Sequence, residues 1–150
     1  PRPGAVPVYN LEIQGQHVYE VGESGLLVHN MCLVQRFGTG GGHHIFSKAA
    51  FEGVPGYRKL DALAIPKKEL ERLGLRHLYE DSITSKQIEL FGELARSGRP
   101  NTLAEHARIA REVLEYAGLS KSDARKVVQK AQKQLESWGV TAPSRIPWQR

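Results

Sequence analysis

Four glycines, Gly74, Gly98, Gly118 and Gly139, divide the second half of the chain, each closing a stretch whose apolar residues recur at helical spacing. Glycine adopts the left-handed conformation that ends a helix at little cost, so such a series cuts the segment into short helices that must pack on one another. The starting signals agree. Pro66 suits the first turn of a helix that Gly74 ends. Thr84-Ser85-Lys86-Gln87 and Thr102-Leu103-Ala104-Glu105 have the form of capping boxes, predicting a second helix that ends at Ser97-Gly98 and a third that ends at Gly118. A fourth is predicted from about Ser122 to Trp138, before Gly139. Ile88, Leu90, Phe91 and Leu94, with Leu103, Ala107, Ala110 and Leu114, fall on helical faces that should pack together.

The first part of the chain has a different period. Val6-Pro7-Val8-Tyr9-Asn10-Leu11-Glu12-Ile13, His17-Val18-Tyr19-Glu20-Val21 and Gly25-Leu26-Leu27-Val28-His29-Asn30 alternate and carry β-branched residues, which predicts strands. Ala62-Leu63-Ala64-Ile65 is a short apolar run expected to pair with the segment that carries His43 and His44. The order strand, loop, strand, helix is the ββα unit in which HNH-type nucleases hold one divalent metal ion. The expected fold class is therefore α+β: a small ββα-metal, HNH-like core with additional packed helices, preceded by a short β-rich segment. Residues 1–32 and 33–150 are expected to form separate parts.

Bulk properties narrow the function. With 40% hydrophobic and 25% charged residues, 150 residues describe an ordinary globule with a core. One cysteine, Cys32, excludes an internal disulfide and a thiolate metal cluster, leaving histidine, carboxylate and amide groups as ligands. No apolar run approaches the roughly 20 residues that cross a bilayer, and the first residues lack a signal-peptide pattern, so export is expected to depend on sequence further upstream. A net charge of +5 favours a polyanionic partner.

His43-His44 follows Gly38-Thr39-Gly40-Gly41-Gly42 and precedes Ile45. The glycines allow backbone or nucleic acid to come close to the imidazoles; a phosphate loop is disfavoured, because such glycines open a helix and His-His-Ile-Phe continues as strand. Successive strand residues face opposite ways, so one ring can hold a cation while the next takes a proton from water. Phosphodiester hydrolysis needs a base and a cation to neutralise developing charge. The assignment is His43 to metal and His44 to general base. His106 lies on the inward face of the third helix and reads either as a hydrogen-bonded core residue or as a metal ligand. Asn101 reads as a turn residue, or as an amide that orients the His44 loop or binds metal. His77 is a solvated helix-end residue or a further site residue. Basic residues flank these positions: Lys48, Arg58, Lys59, Lys67, Lys68 and Arg72 on one side, Arg96, Arg99, Arg108 and Arg111 on the other.

Three separated blocks carry a resemblance: Gly42-His43-His44-Ile45-Phe46-Ser47-Lys48-Ala49-Ala50-Phe51, Ser97-Gly98-Arg99-Pro100-Asn101-Thr102-Leu103-Ala104-Glu105-His106, and Ile146-Pro147-Trp148. In this order they resemble the C-terminal nuclease toxin domains of bacterial polymorphic toxins, the HNH/endonuclease VII superfamily with a paired-histidine signature found at the tips of Rhs and contact-dependent inhibition proteins. The resemblance implies a metal-dependent endonuclease acting on DNA first and RNA or tRNA second, with one divalent ion (Mg, Mn, Zn or Ni). Its implied sites are His44 and Asn101 as catalytic residues and His43 and His106 as ligands. It also implies delivery as part of a larger toxin into the cytoplasm of a target cell, a cognate immunity protein and a monomeric toxin domain. Asn101 lies far downstream of His44, with helices between, so the unit carries an insertion or takes its last ligand from the helix after Ile65.

Val8-Tyr9-Asn10-Leu11, His17-Val18-Tyr19-Glu20-Val21-Gly22 and Val28-His29-Asn30 resemble the last strands of a Hint (intein-like) domain, in which a terminal His-Asn pair permits chain release. The nucleophile block of such a domain is missing and Met31 separates Asn30 from Cys32, so splicing by this chain alone is not expected. Two further readings stand beside the nuclease: a basic helical module that binds nucleic acid without cutting it, and a self-processing peptidase fragment.

Overall fold

The computed structural model describes residues 18–21, 26–29, 33–74 and 82–149. The chain divides into two compact units, Pro1–Cys32 and Leu33–Arg150. In the first, β1 (Val18–Val21) and β2 (Leu26–His29) form an antiparallel hairpin, Val18 opposite His29 and Val21 opposite Leu26. The run expected as a strand at residues 6–13 lies outside the described residues, as does His77.

The second unit is α+β. Its sheet has three short antiparallel strands in the order β3 (Gln35–Arg36), β5 (Leu63–Ile65), β4 (His43–His44). The expected pairing of the histidine strand with the 62–65 run is present, with His43 opposite Ile65 and His44 opposite Ala64. β3 was not anticipated, since two residues are too few to show a period. Gly42 makes the β4–β5 approach feasible: its φ is +127°, and a Cβ there would lie 1.9 Å from the Ile65 carbonyl oxygen. A one-turn helix, α1 (Lys48–Phe51), lies between β4 and β5.

α2 (Lys67–Arg72) follows β5 with Pro66 at its N-cap. Helices α3 (Ile83–Arg96), α4 (Leu103–Tyr116) and α5 (Lys121–Ser137) complete the unit, and α4 packs against both others. Thr102 caps α4 as expected, accepting from the Glu105 N–H at 3.3 Å. The start of α3 lies upstream of the expected one, while α5 begins at Lys121, within a residue of its expected start. α3 begins under Ser82, whose hydroxyl accepts from Ser85 N–H at 3.0 Å, and α5 under Ser120, which accepts from Asp123 N–H at 3.1 Å. In both cases a serine with extended backbone lies just upstream of the expected start and satisfies an orphan N–H first.

The ends follow glycine chemistry. After α5, Val140 N–H donates to Leu135 O (3.0 Å) and Gly139 N–H to Glu136 O (2.9 Å); after α4, Leu119 and Gly118 repeat the pattern on Leu114 and Glu115. These are Schellman closures, and each tucks its next apolar residue, Val140 or Leu119, into the core. On α3 the buried face is Ile83, Gln87, Leu90, Phe91 and Leu94, while Ile88 is 41% exposed. At about 100° per residue, Ile83, Gln87, Leu90 and Leu94 share one narrow arc and position 88 lies to its side, so Ile88 is not the core residue its spacing predicted.

Long-range ties hold the sheet to the C-terminal part. Gln134 of α5 accepts from Leu63 N–H (3.0 Å) and donates to Asp61 O (2.8 Å), clamping the start of β5. Beyond α5, Ser144 and Arg145 donate to the carbonyls of Ala50 and Ala49 at 3.0 and 2.8 Å, fastening the tail to α1. Among the described residues no helix is long and apolar enough to cross a membrane.

Candidate functional site

β4 places both imidazoles in the interior, His43 5% and His44 7% exposed. The His44 ring stacks on Phe37 at 4.0 Å between centroids, 25° from parallel. Its Nε2 lies 3.2 Å from the backbone oxygen of Lys59. A carbonyl only accepts, so Nε2 carries the hydrogen and, in the neutral ring, Nδ1 holds the lone pair that can take a proton. Stack and hydrogen bond together fix both the orientation and the tautomer of His44.

His106 and Asn101 form a second element. The Nε2–H of His106 donates to Asn101 Oδ1 at 2.8 Å. The His106 ring is 1% exposed, with Phe91 at 4.8 Å and Phe51 edge-on at 5.8 Å. Its Nδ1 is enclosed and, among the described residues, has no hydrogen-bond partner. Burial, opposed by the nearby Glu105 charge, lowers the His106 pKa to about 4, so the ring is neutral at pH 7. Phe51 belongs to α1, which follows directly on the histidine strand, and Phe46 packs edge-on against it at 6.0 Å. The aromatic cluster therefore connects α4 to the segment that carries His43 and His44.

A divalent ion on His106 would need an unprotonated nitrogen faced by further donors. Nε2 is engaged by Asn101, and the ring as a whole packs against Phe91 and Phe51. Among the described residues, no three His, Cys, Asp or Glu side chains converge on one point. Asn101 and His106 are brought into direct contact as a pair.

The flanking cations divide into two groups. Arg99 and Arg108 are both held by Glu105 (2.9 and 3.0 Å), and Arg72 is held by Glu69 (2.8 Å). Lys48, Arg58, Lys59, Lys67 and Lys68 are exposed, and Arg58 lies over the Trp138 ring at 6.0 Å. Sequence reasoning missed the Lys59 carbonyl and the Phe37 ring. The first is a backbone atom and leaves no trace in residue type; the second stands next to the glycine run, where an aromatic residue was the one available signal. No family model, curated protein or solved structure matches the chain.

Proposed function

We propose that residues 33–150 are an HNH-like endonuclease toxin domain that hydrolyses phosphodiester bonds in a target bacterial cell and is neutralised by a cognate immunity protein, with residues 1–32 the end of a Hint-like segment. The observation that carries this reading is the fixed tautomer of His44, whose Nε2–H faces the Lys59 carbonyl, which makes Nδ1 the proton-accepting nitrogen of the neutral ring. The order β4, β5, α2 around it supports the ββα reading. His44 takes the proton of the attacking water or hydroxyl. Asn101 and His106 act as positioning residues, through Phe51 and α1, on the strand that holds His44. Phosphate binding falls to the exposed lysines.

The test is incubation of the purified protein with plasmid and with total tRNA, with chelator and with Mg²⁺, Mn²⁺, Ni²⁺ or Zn²⁺ in separate arms, wild type beside His44→Ala. Cleavage by the wild type and a loss of ~10² to 10⁴ in rate for the variant are expected. Intact substrate in every arm would overturn the reading. The alternative, a basic helical module that binds nucleic acid without cutting it, draws on the exposed Arg125, Lys126, Lys130 and Lys133 of α5. It predicts salt-sensitive binding with no cleavage in any arm.

A further inference from the structure

Two open depressions meet at Ala49 on the outside of α1. One is lined by Lys48, Glu52 and Lys59, the other by Arg145 and Trp148. Lys48 and Lys59 are exposed and have no carboxylate partner among the described residues, whereas Arg145 is paired with Glu52 at 2.8 Å. Three cations against one carboxylate leave the surface positive. Lys59 also ties it to the candidate site, because its backbone oxygen holds His44.

Trp148 gives the surface its second property. The indole is 45% exposed and its φ is +58°, a region that bulky L-residues rarely adopt. An exposed tryptophan alone would mean little. Here, however, its flanks are anchored: Pro147 is buried, and Ser144 and Arg145 are bonded to the carbonyls of α1. Phe91 supports the ring at 5.8 Å. The chain thus bears a strained backbone that keeps a large aromatic ring open to solvent beside a row of cations, and such strain persists where the surroundings enforce it.

We propose that this surface is a track for single-stranded nucleic acid, with phosphates on Lys48 and Lys59 and an unpaired base stacked on Trp148. A duplex covers the faces of its bases, so an aromatic platform selects a strand whose bases are free. The proposal rests on the nuclease reading of His44 and names its substrate as unpaired DNA or RNA.

The test uses the whole chain carrying His44→Ala, in chelator, so that the probe stays intact. Fluorescence anisotropy is read with a labelled single-stranded oligonucleotide and with the same sequence as a duplex. Trp148→Ala should weaken single-strand binding roughly ten- to hundredfold, with Trp148→Phe retaining most of the affinity and the duplex little changed. Lys48→Ala with Lys59→Ala should lower the salt slope for the single strand by about 1.4. In a Trp138→Phe background the oligonucleotide should quench Trp148 emission over the binding range, a readout that stands even if Trp148→Ala fails to fold. Equal loss for single strand and duplex, or no quenching at saturation, would overturn the track. Trp148-dependent binding by a wild-type protein that cuts nothing would defeat the catalytic reading and uphold the track; cleavage with binding indifferent to Trp148 would do the reverse.

Discussion

Replacing Gly42 with alanine should cost more stability than any other single-methyl change in the glycine run. The new Cβ would stand 1.9 Å from the Ile65 oxygen and 2.9 Å from its carbon, on a backbone at φ +127°. Normal contact requires the strands to separate by more than about 1 Å, which breaks hydrogen bonds that are marginal beyond ~3.2 Å. Two or three strand bonds at about 1 kcal/mol each, with ~1–3 kcal/mol for the forced backbone, come to roughly 3–6 kcal/mol. At about 4 °C per kcal/mol for a unit of this size, the melting temperature should fall by roughly 12–24 °C. Gly41→Ala is the control. Its φ is +66° and no atom lies within 4 Å of a new Cβ, so only the left-handed penalty of ~1–2 kcal/mol applies. Urea unfolding of the two variants beside wild type, with unchanged m-values, measures the difference. Equal midpoints for Gly41→Ala and Gly42→Ala would refute the claim that β5 presses on Gly42.

Because the His106 pKa falls to about 4 in the folded state against an ordinary 6.5, the unfolded chain binds the extra proton between those values. Stability from this group is present above pH 6.5 and is lost as pH falls towards 4, by about 3 kcal/mol in all; wild type minus His106→Gln in a pH series of urea midpoints should show that window and no other. Asn101→Ala leaves the buried His106 N–H without its acceptor and should cost ~1–3 kcal/mol, whereas a cost below that of an exposed alanine substitution would place the hydrogen bond outside the folded state. Ile88→Lys should stay within about ±0.5 kcal/mol, as befits an exposed site, and a thermal shift typical of a core substitution would put Ile88 back on the packed face. Ser120→Ala should lower stability by ~1 kcal/mol through loss of the α5 cap, checked against Ser122→Ala, which should do nothing.

Helices α4 and α5 were legible to within a residue or two because capping chemistry and glycine closures are local. What was hidden depended on partners distant in sequence. Ser82 outcompeted Thr84 because the chain enters the helix two positions earlier, and the face centred on Ile83, Gln87, Leu90 and Leu94 leaves Ile88 to one side. The pairing of Ala62-Leu63-Ala64-Ile65 with the histidine strand was readable from its apolar run; two-residue β3 was not, since its register comes from β5. The His43-His44 pair announced itself by residue type, while the carbonyl and ring that orient His44 have no distinctive letter. His106 illustrates the converse: its helical position placed it inward, but only three-dimensional packing supplies Asn101, Phe51 and Phe91.

The clamp of Gln134 on β5 and the fastening of Ser144 and Arg145 to α1 join positions separated by 71 to 96 residues. Contacts of that span form late and slow the assembly of a chain. During synthesis, the strand that pairs with the histidines and the helix that follows them therefore wait for these ties until residues 134 to 145 have left the ribosome.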